Sequence, residues 1–272
     1  MQLIKETLKT ELSKTAEFYG YIPDNSEEIE PSRVRPTILI CPGGGYSMTS
    51  DREAEPVALD FLARGYNAFI LRYSVAPARY PVALVETATA MKLIRDNAKA
   101  WHVDENKVII AGFSAGGHLA ANFATSWDRD LVTEHGFKAA EIKPNGLFLG
   151  YAVISDGKEG HAESFKNLLG DKYGDKALMD KVSIEKQVTA TTPPTFLWHT
   201  VTDDVVPVEN SLLFASALKA HGVSFEMHLF PKGGHGLSLA TPQTAIASNG
   251  YGNEPTISVW ADLFATWVNN NF

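Results

Sequence analysis

The sequence has almost no cysteine and no long apolar run. Cys41 is its single cysteine, so an intramolecular disulfide is excluded and nothing requires an oxidising compartment. No apolar stretch approaches the roughly 20 residues that a membrane-spanning helix needs. The N-terminal segment MQLIKETLKTELSK mixes charged with apolar residues and lacks the apolar core of a secretory signal. We therefore expect a cytoplasmic protein that does not contact a membrane.

Basic residues are in the minority, and this bears on the partners of the protein. Lys and Arg number 24 against 32 Asp and Glu, which gives a net charge of −8. The average field of such a chain repels nucleic acid and anionic membrane surfaces, so we expect neither as a partner. The expected partner is a neutral small molecule or polymer.

Motifs for metals and cofactors are missing as well. There is no H-E-x-x-H, His102 and His118 fall on separate predicted elements, and Cys41 ends a predicted strand, where a buried small residue is expected. The glycines of GGGY do not match a phosphate-binding or dinucleotide-binding loop. The sequence therefore predicts no metal and no cofactor.

What the chain does contain is an alternation of short apolar runs and helical stretches. Helices are predicted at 51–64, 83–100, 115–126, 208–221 and 257–270. Continuous apolar runs are typical of strands buried on both faces of a parallel sheet. The runs are TILIC (37–41), NAFILRY (67–73), KVIIAG (107–112), GLFLGYAV (146–153), TFLWHT (195–200) and SFEMHLF (224–230). This rhythm predicts an α/β protein with right-handed crossovers.

Three parts of the chain depart from this rhythm. The alternating segments 4–9 and 15–22 predict an antiparallel strand pair, and this N-terminal region would allow contact between subunits of a homo-oligomer. Residues 155–194 are charged and helix-prone with no convincing strand, so we expect a helical cap inserted into a single domain spanning 1–272. The irregular stretch 240–255 is also expected to fold over a site.

One serine stands between small residues at a predicted strand-to-helix junction. Gly112, Phe113, Ser114, Ala115 and Gly116 spell G-x-S-x-G directly after the strand KVIIA and directly before an alanine-rich helix. This is the context of a nucleophile elbow, whose sharp turn strains the serine backbone and exposes the hydroxyl. Glycine-rich turns after strands are common, so the assignment depends on partners elsewhere in the chain.

The partners of this serine are a base that removes its proton and an acid that orients the base. In such a sheet the acid follows a later strand and the histidine follows the last one. Among eight histidines, His235 lies in PKGGHG after the last predicted strand, whereas His199 would break this order. Asp203 and Asp204 follow TFLWHT, and we favour Asp203 because the valines after it can anchor its loop.

Donors for an oxyanion are the remaining requirement of this chemistry. The elbow supplies the backbone amide of Ala115. The segment ILICPGGGYSM supplies a strand followed by Gly43, Gly44 and Gly45, which lack side chains and so let backbone amides approach a substrate oxygen. The sequence thus contains every part of a serine hydrolase site in the expected chain order.

These segments resemble the α/β-hydrolases of the esterase and lipase type, particularly the bacterial group that includes acetyl xylan esterases and related carbohydrate esterases. The carriers are CPGGGY, YPVALVETATAMKLIR, VIIAGFSAGGHLAA, PPTFLWHTVTDDVVPVENS and FPKGGHG, in this order between residues 39 and 236. The resemblance implies the α/β-hydrolase fold, with helices on both faces of a mostly parallel sheet, an antiparallel N-terminal strand pair and a small helical cap. It also implies an acyl-enzyme mechanism with Ser114 as nucleophile, His235 as general base and acid, and Asp203 orienting it.

The same resemblance implies that Gly44 and Gly45 donate to the oxyanion beside Ala115. Pro42 stands where the lipase-type loop usually carries histidine, so the donating pair stays open and Tyr46 is an alternative donor. The size of Tyr46 and Phe113 predicts that both line the substrate pocket and narrow its acyl side.

The expected activity is hydrolysis of short-chain esters, such as acetyl groups on small molecules or on xylo-oligosaccharides. An amidase or arylformamidase stays open because the same triad attacks activated amides. A small serine peptidase related to prolyl oligopeptidases shares the sheet, although 272 residues leave no room for a propeller domain. A non-catalytic binding module usually lacks a triad member or the glycine loop, and this sequence has both.

Overall fold

Eight strands form one sheet in the computed structural model, which describes residues 1–272 apart from the side chain of Val132. The strands are β1 (Gln2–Leu8), β2 (Ala16–Ile22), β3 (Arg35–Cys41), β4 (Asn67–Arg72), β5 (Val103–Phe113), β6 (Gly146–Gly150), β7 (Thr195–Thr200) and β8 (Phe225–Phe230). Their order is β1-β2-β4-β3-β5-β6-β7-β8. The pairs β1–β2 and β2–β4 are antiparallel and all other pairs are parallel. The predicted sheet, with its antiparallel N-terminal pair, is confirmed.

Helices cover both faces of this sheet, as predicted. They are α1 (Glu55–Ala63), α2 (Val82–Asp96), α3 (Ser114–Ser126), α4 (Asp130–His135), α5 (Ala139–Ile142), α6 (Ala162–Leu169), α7 (Lys176–Val182), α8 (Glu209–Ala220) and α9 (Trp260–Asn271). Helices α1 and α9 pack on one face through Phe61, Trp260 and Phe264. Helices α2, α3 and α8 contribute Met91, Phe123 and Phe214 to the core on the other face. The helical layers on both faces, which the resemblance to α/β-hydrolases implies, are therefore confirmed.

The differences from the prediction lie mostly at the ends of elements. Strand β6 ends at Gly150 because Tyr151 has a positive φ of 37°, which turns the chain out of the sheet. Strand β8 is the sheet edge, so its residues are mostly half-buried instead of buried on both faces. The sequence does not predict α4 and α5, because helices shorter than two turns carry no full apolar period.

Residues 155–194 contain α6, α7 and the 3₁₀ turns Gly170–Lys172 and Ile184–Lys186. Asn167 of α6 donates its side-chain amide to the Gly45 carbonyl at 2.9 Å, so this segment contacts the loop after β3. No helix in the described part of the chain combines the length and apolar character needed to cross a membrane.

The topology gathers several loops at one edge of the sheet. Strands β3, β5, β6, β7 and β8 are neighbours and run parallel, so their carboxyl ends meet. Ser114 directly follows β5 and Tyr151 directly follows β6. The loops after β3, β7 and β8 carry the three glycines, Asp203 and His235, respectively. Open α/β sheets bind ligands at this edge, so a functional site is expected there.

Candidate active site

Ser114 stands at the turn between β5 and α3 with a positive φ of 51°. A non-glycine residue seldom adopts this conformation, and the surrounding backbone must hold it. A Cβ at Gly112 would lie 2.1 Å from the Gly116 carbonyl oxygen, and one at Gly116 would lie 2.1 Å from the Cys41 carbonyl oxygen. Both glycines of G-x-S-x-G are therefore required by the close approach of backbone to backbone.

The structure brings Ser114, His235 and Asp203 into one hydrogen-bonded chain. The His235 Nε2 atom lies 2.7 Å from Ser114 Oγ, and His235 Nδ1 lies 2.8 Å from Asp203 Oδ2. Since the carboxylate can only accept, Nδ1 carries the proton and Nε2 accepts from the serine hydroxyl. This tautomer leaves Nε2 ready to take the serine proton.

Asp203 is held as an anion by the loop after β7. Its Oδ1 atom accepts hydrogen bonds from the amides of Val205 and Val206 at 3.0 and 2.9 Å. Burial alone raises the pKa of Asp203, but hydrogen bonds from His199 and His235 outweigh it and hold the pKa well below the usual range. Asp204, the alternative acid, is exposed to solvent, and the hydrogen bond from His235 Nδ1 goes to Asp203 instead.

His199 lies behind the acid instead of facing the serine. Its Nε2 donates to the Val206 carbonyl at 2.9 Å and lies 3.4 Å from Asp203 Oδ2, while Nδ1 accepts from Ser211 Oγ at 2.7 Å. The side chain is fully buried. His199 therefore braces the loop that carries Asp203, a role that the sequence does not reveal.

The glycine loop places backbone amides beside Ser114. Gly44 and Gly45 line the same cleft as Ser114, with positive φ values of 131° and 63°. Within the described residues their amides donate to no protein acceptor, whereas the Gly43 amide donates to Glu53 Oε2 at 2.7 Å. The Ala115 amide is in the first turn of α3, where amides lack acceptors within the helix. The arrangement leaves Gly44, Gly45 and Ala115 as free donors.

Glu53 and Tyr151 support the site, and sequence reasoning misses both. Glu53 is buried, and besides the Gly43 amide it accepts the Tyr151 hydroxyl at Oε1 with a distance of 2.7 Å. The Tyr151 ring packs edge-on against the His235 ring, with centroids 5.0 Å apart. The pair thus links the glycine loop to His235. No motif marks these residues, because the bond between them joins loops that lie 98 positions apart in the sequence.

The prediction that Tyr46 and Phe113 line the pocket is wrong. Phe113 is fully buried in the aromatic core, edge-on to Phe148 and Trp260. Tyr46 is also buried, and its hydroxyl donates to His118 Nδ1 at 2.7 Å, so it is not free to donate to an oxyanion. Both large side chains point into the interior because the turns that carry them expose only backbone to the cleft.

The cleft above Ser114 has a volume of about 280 Å³. Apart from Ser114, His235 and the glycines, its walls include Met48, Ser50, Arg52, His161 and Val205. Burial lowers the pKa of His161, and the nearby His235 lowers it further, which favours a neutral ring in the cleft. The space suits a small ester, since pockets for drug-sized ligands run from about 300 to 1,000 Å³.

The irregular stretch 240–255 contacts the site, as expected from the sequence. The Tyr251 hydroxyl donates to the His235 carbonyl oxygen at 2.6 Å. A Cβ at Gly234 would lie 2.3 Å from the Tyr251 hydroxyl oxygen, so the glycine before His235 makes room for this contact. In the part of the chain that the structure describes, no group of three or more His, Cys, Asp or Glu side chains is arranged to hold a metal ion.

Comparisons with known proteins agree with this architecture. Residues 21–218 match the BD-FAE family. The carboxylesterase Cest-2923 from Lactobacillus plantarum superposes with a TM-score of 0.89 at 29% identity, covering 99% of this chain and 98% of that one. An acetyl ester-xyloside bifunctional hydrolase from Caldicellulosiruptor lactoaceticus gives a TM-score of 0.79 at 38% identity, covering 94% and 88%.

Curated relatives are longer proteins. Endo-1,4-beta-xylanase B of Butyrivibrio fibrisolvens is 39% identical over 83% of this chain and 36% of its own length. Acetylxylan esterase of Xylanibacter ruminicola is 31% identical over 87% of this chain and 47% of its own length. The chain therefore spans less than half of each of these relatives. The family match covers most of the chain and the fold agrees throughout, so this protein belongs to the BD-FAE family of α/β-hydrolases.

Proposed function

We propose that this protein hydrolyses carboxylic esters through an acyl-enzyme on Ser114. The observation that carries the proposal is the hydrogen-bonded chain from Ser114 Oγ through His235 to Asp203, with distances of 2.7 and 2.8 Å. A serine aligned in this way with a histidine of the correct tautomer is activated for attack on a carbonyl carbon.

The reaction follows from these contacts in two halves. Ser114 Oγ bonds to the carbonyl carbon while its proton passes to His235 Nε2, and the amides of Ala115 and of Gly44 or Gly45 bind the oxyanion. The carbon–oxygen bond to the alcohol then breaks, and His235 returns the proton to the leaving alkoxide. Water repeats the sequence: its proton goes to His235, and the acid leaves as Ser114 regains its hydrogen.

Short acyl groups, acetyl above all, are the proposed substrates, on small alcohols or on saccharides such as xylo-oligosaccharides. The cleft of about 280 Å³ supports a small substrate. Relatives named for acetylxylan and acetyl ester-xyloside hydrolysis support an acetylated saccharide. Hydrolysis of such a substrate by this mechanism calls for no cofactor.

Replacing the nucleophile tests the mechanism directly. Ser114→Ala should lower kcat for p-nitrophenyl acetate at least about 10⁴-fold, because no other group can form the acyl-enzyme. The matched control is Ser126→Ala, which removes a buried hydroxyl bonded only to the Asn122 carbonyl of the same helix and should keep activity. Substantial activity in Ser114→Ala, with unchanged circular dichroism, would refute the assignment.

A substrate series tests the acyl preference separately. Initial rates with p-nitrophenyl esters of two to ten carbons should fall beyond about four carbons, because the cleft is at the small end of ligand pockets. Acetylated xylo-oligosaccharides and an aryl amide belong in the same series. A preference for long chains would contradict the proposed acyl group, and a preference for the amide would replace the esterase by an amidase.

A further inference from the structure

Arg52 is a charged side chain fixed in the wall of the Ser114 cleft. Among the cleft-lining residues that the structure describes, it is the one Arg or Lys. Its Nε atom donates to the Thr244 carbonyl at 2.6 Å. A Cβ at Gly252 would lie 2.3 Å from Nη2, so this glycine leaves room for the guanidinium. The 240–255 segment therefore holds the Arg52 guanidinium in one orientation.

Most of the donors of this guanidinium are unused within the protein. Nη2 is buried without a hydrogen-bond partner among the described residues, and Nη1 also makes no hydrogen bond there while staying accessible. Both oxygens of the neighbouring Glu53 carboxylate already accept hydrogen bonds, one from the Gly43 amide and one from the Tyr151 hydroxyl. None of the ion pairs among the described residues includes Arg52. Nη1 is therefore the donor that a ligand in the cleft can reach, because protein covers Nη2. An acceptor on such a ligand would offset the cost of a partly buried cation that has no acceptor within the protein.

We propose that Arg52 binds a carboxylate on the substrate, so that the preferred ester also carries an acid group. This inference rests on the proposed ester hydrolysis at Ser114. The charge of the guanidinium complements that of a carboxylate, and the accessible Nη1 can donate a charge-assisted hydrogen bond to it. Because the net charge of −8 repels anions at long range, the attraction must come from a cation fixed inside the cleft. An acetylated saccharide with an acid group, or an acyl chain ending in one, has this chemistry.

Two isosteric pairs of esters test the preference. Monomethyl succinate and methyl succinamate differ only in carrying a carboxylate or a carboxamide on the acyl side. The pair 4-acetoxybenzoate and 4-acetoxybenzamide places the same difference on the alcohol side. The wild-type protein should favour the anionic member of one pair by about tenfold or more in kcat/KM, as one charge-assisted hydrogen bond allows. Which pair responds assigns Arg52 to the acyl or the alcohol side.

Variants identify the residue responsible. Arg52→Gln should bring the anionic-to-neutral ratio to about one, and Arg52→Lys should retain part of it because charge remains without the planar donor set. Each ratio is taken within one variant, so a loss of folded protein cancels. Arg33→Gln is the control: it removes the same charge at an exposed ion pair with Glu30, outside the cleft lining, and should leave the ratio unchanged.

The outcomes separate this inference from the proposed function. Hydrolysis of the neutral esters with no anionic preference in either pair overturns the role of Arg52 and leaves the esterase intact. A preference that survives in Arg52→Gln overturns it as well. Failure to cleave p-nitrophenyl acetate and all four esters would overturn the esterase itself.

Discussion

Replacement of Glu53 by glutamine tests whether the buried carboxylate holds the site together. Glu53 accepts two hydrogen bonds of 2.7 Å, one at each oxygen, from the Gly43 amide and the Tyr151 hydroxyl. Glutamine offers one accepting oxygen and one donating NH₂ group. Because the Gly43 amide can only donate, the oxygen of the glutamine must accept from it, and the glutamine NH₂ group then faces the Tyr151 hydroxyl. That hydroxyl already accepts from the Ser238 amide at 2.9 Å, and its proton is left without an acceptor.

The magnitude follows from these contacts. Glu53→Gln loses one charge-assisted hydrogen bond and weakens another in a buried site, which costs about 1.5–3 kcal/mol of the free energy of unfolding. We also expect kcat for p-nitrophenyl acetate to fall about tenfold, because a loosened loop loses part of the 10²–10³-fold effect of an oxyanion donor. Urea titration monitored by circular dichroism gives the first quantity, and initial rates give the second.

Glu55→Gln is the matched control for this experiment. Glu55 lies two residues further on, is exposed, and accepts the Tyr21 hydroxyl at 2.6 Å. Its replacement should cost less than about 1 kcal/mol, because solvent can replace a surface partner. Equal urea midpoints for the two variants would refute the claim that the buried carboxylate stabilises the site, whatever happens to the rate.

Three further predictions concern the acid, a buried histidine and the elbow. Asp203→Asn should lower kcat about 10⁴-fold, because the new NH₂ group would donate to His235 Nδ1 and fix the wrong tautomer. Asp204→Asn should change kcat little. The reverse result would assign the acid to Asp204. Burial lowers the pKa of His118 to about 4, so the unfolded chain binds its proton first. The free energy of unfolding should therefore fall by about 3 kcal/mol as the pH drops from about 6.5 towards 4, compared with the His118→Gln variant. Urea titrations at several pH values measure this difference. Parallel pH profiles for the wild-type protein and the variant would contradict it. Gly116→Ala should lower the free energy of unfolding by about 3 kcal/mol or more, because its Cβ would lie 2.1 Å from the Cys41 carbonyl oxygen. Gly157→Ala should lower it far less, because the nearest atom to its Cβ is a side-chain oxygen at 3.2 Å. Similar thermal midpoints for the two variants would argue against the close packing of the elbow.

Ser114, Asp203 and His235 can be picked out from the sequence because each comes within a few residues of the end of a parallel strand that is visible as an apolar run. Apolar runs give the strands, parallel pairing brings their carboxyl ends together, and chain order separates His235 from His199. The choice between Asp203 and Asp204 is harder, because the sequence pattern alone does not say which of the two carboxylates turns inward. The amides of Val205 and Val206 settle the geometry by binding Asp203 Oδ1, and those bonds exist only once the loop has folded.

The supporting residues escape sequence reasoning for a physical reason. The Tyr151–Glu53 bond spans 98 positions and the Arg52–Thr244 bond spans 192, so both join loops that are distant in the sequence. Local periodicity carries no signal for such contacts. The same limit explains the error for Tyr46 and Phe113, where side-chain size predicts a pocket wall but the direction of the side chain decides. The cytoplasmic location and a homo-oligomer stay predictions.

The departure at Pro42 has a structural counterpart in how the glycine loop is fixed. The lipase-type loop has histidine at this position, and here the Pro42 carbonyl accepts the Tyr73 hydroxyl at 2.7 Å. The next amide, Gly43, is bound by Glu53, and Tyr46 at the far end is bound to the elbow helix through His118. These three bonds fix the loop on both sides of Gly44 and Gly45 without a histidine side chain. We infer that the loop is preorganised by buried residues beneath it, and this leaves its two central amides facing the cleft.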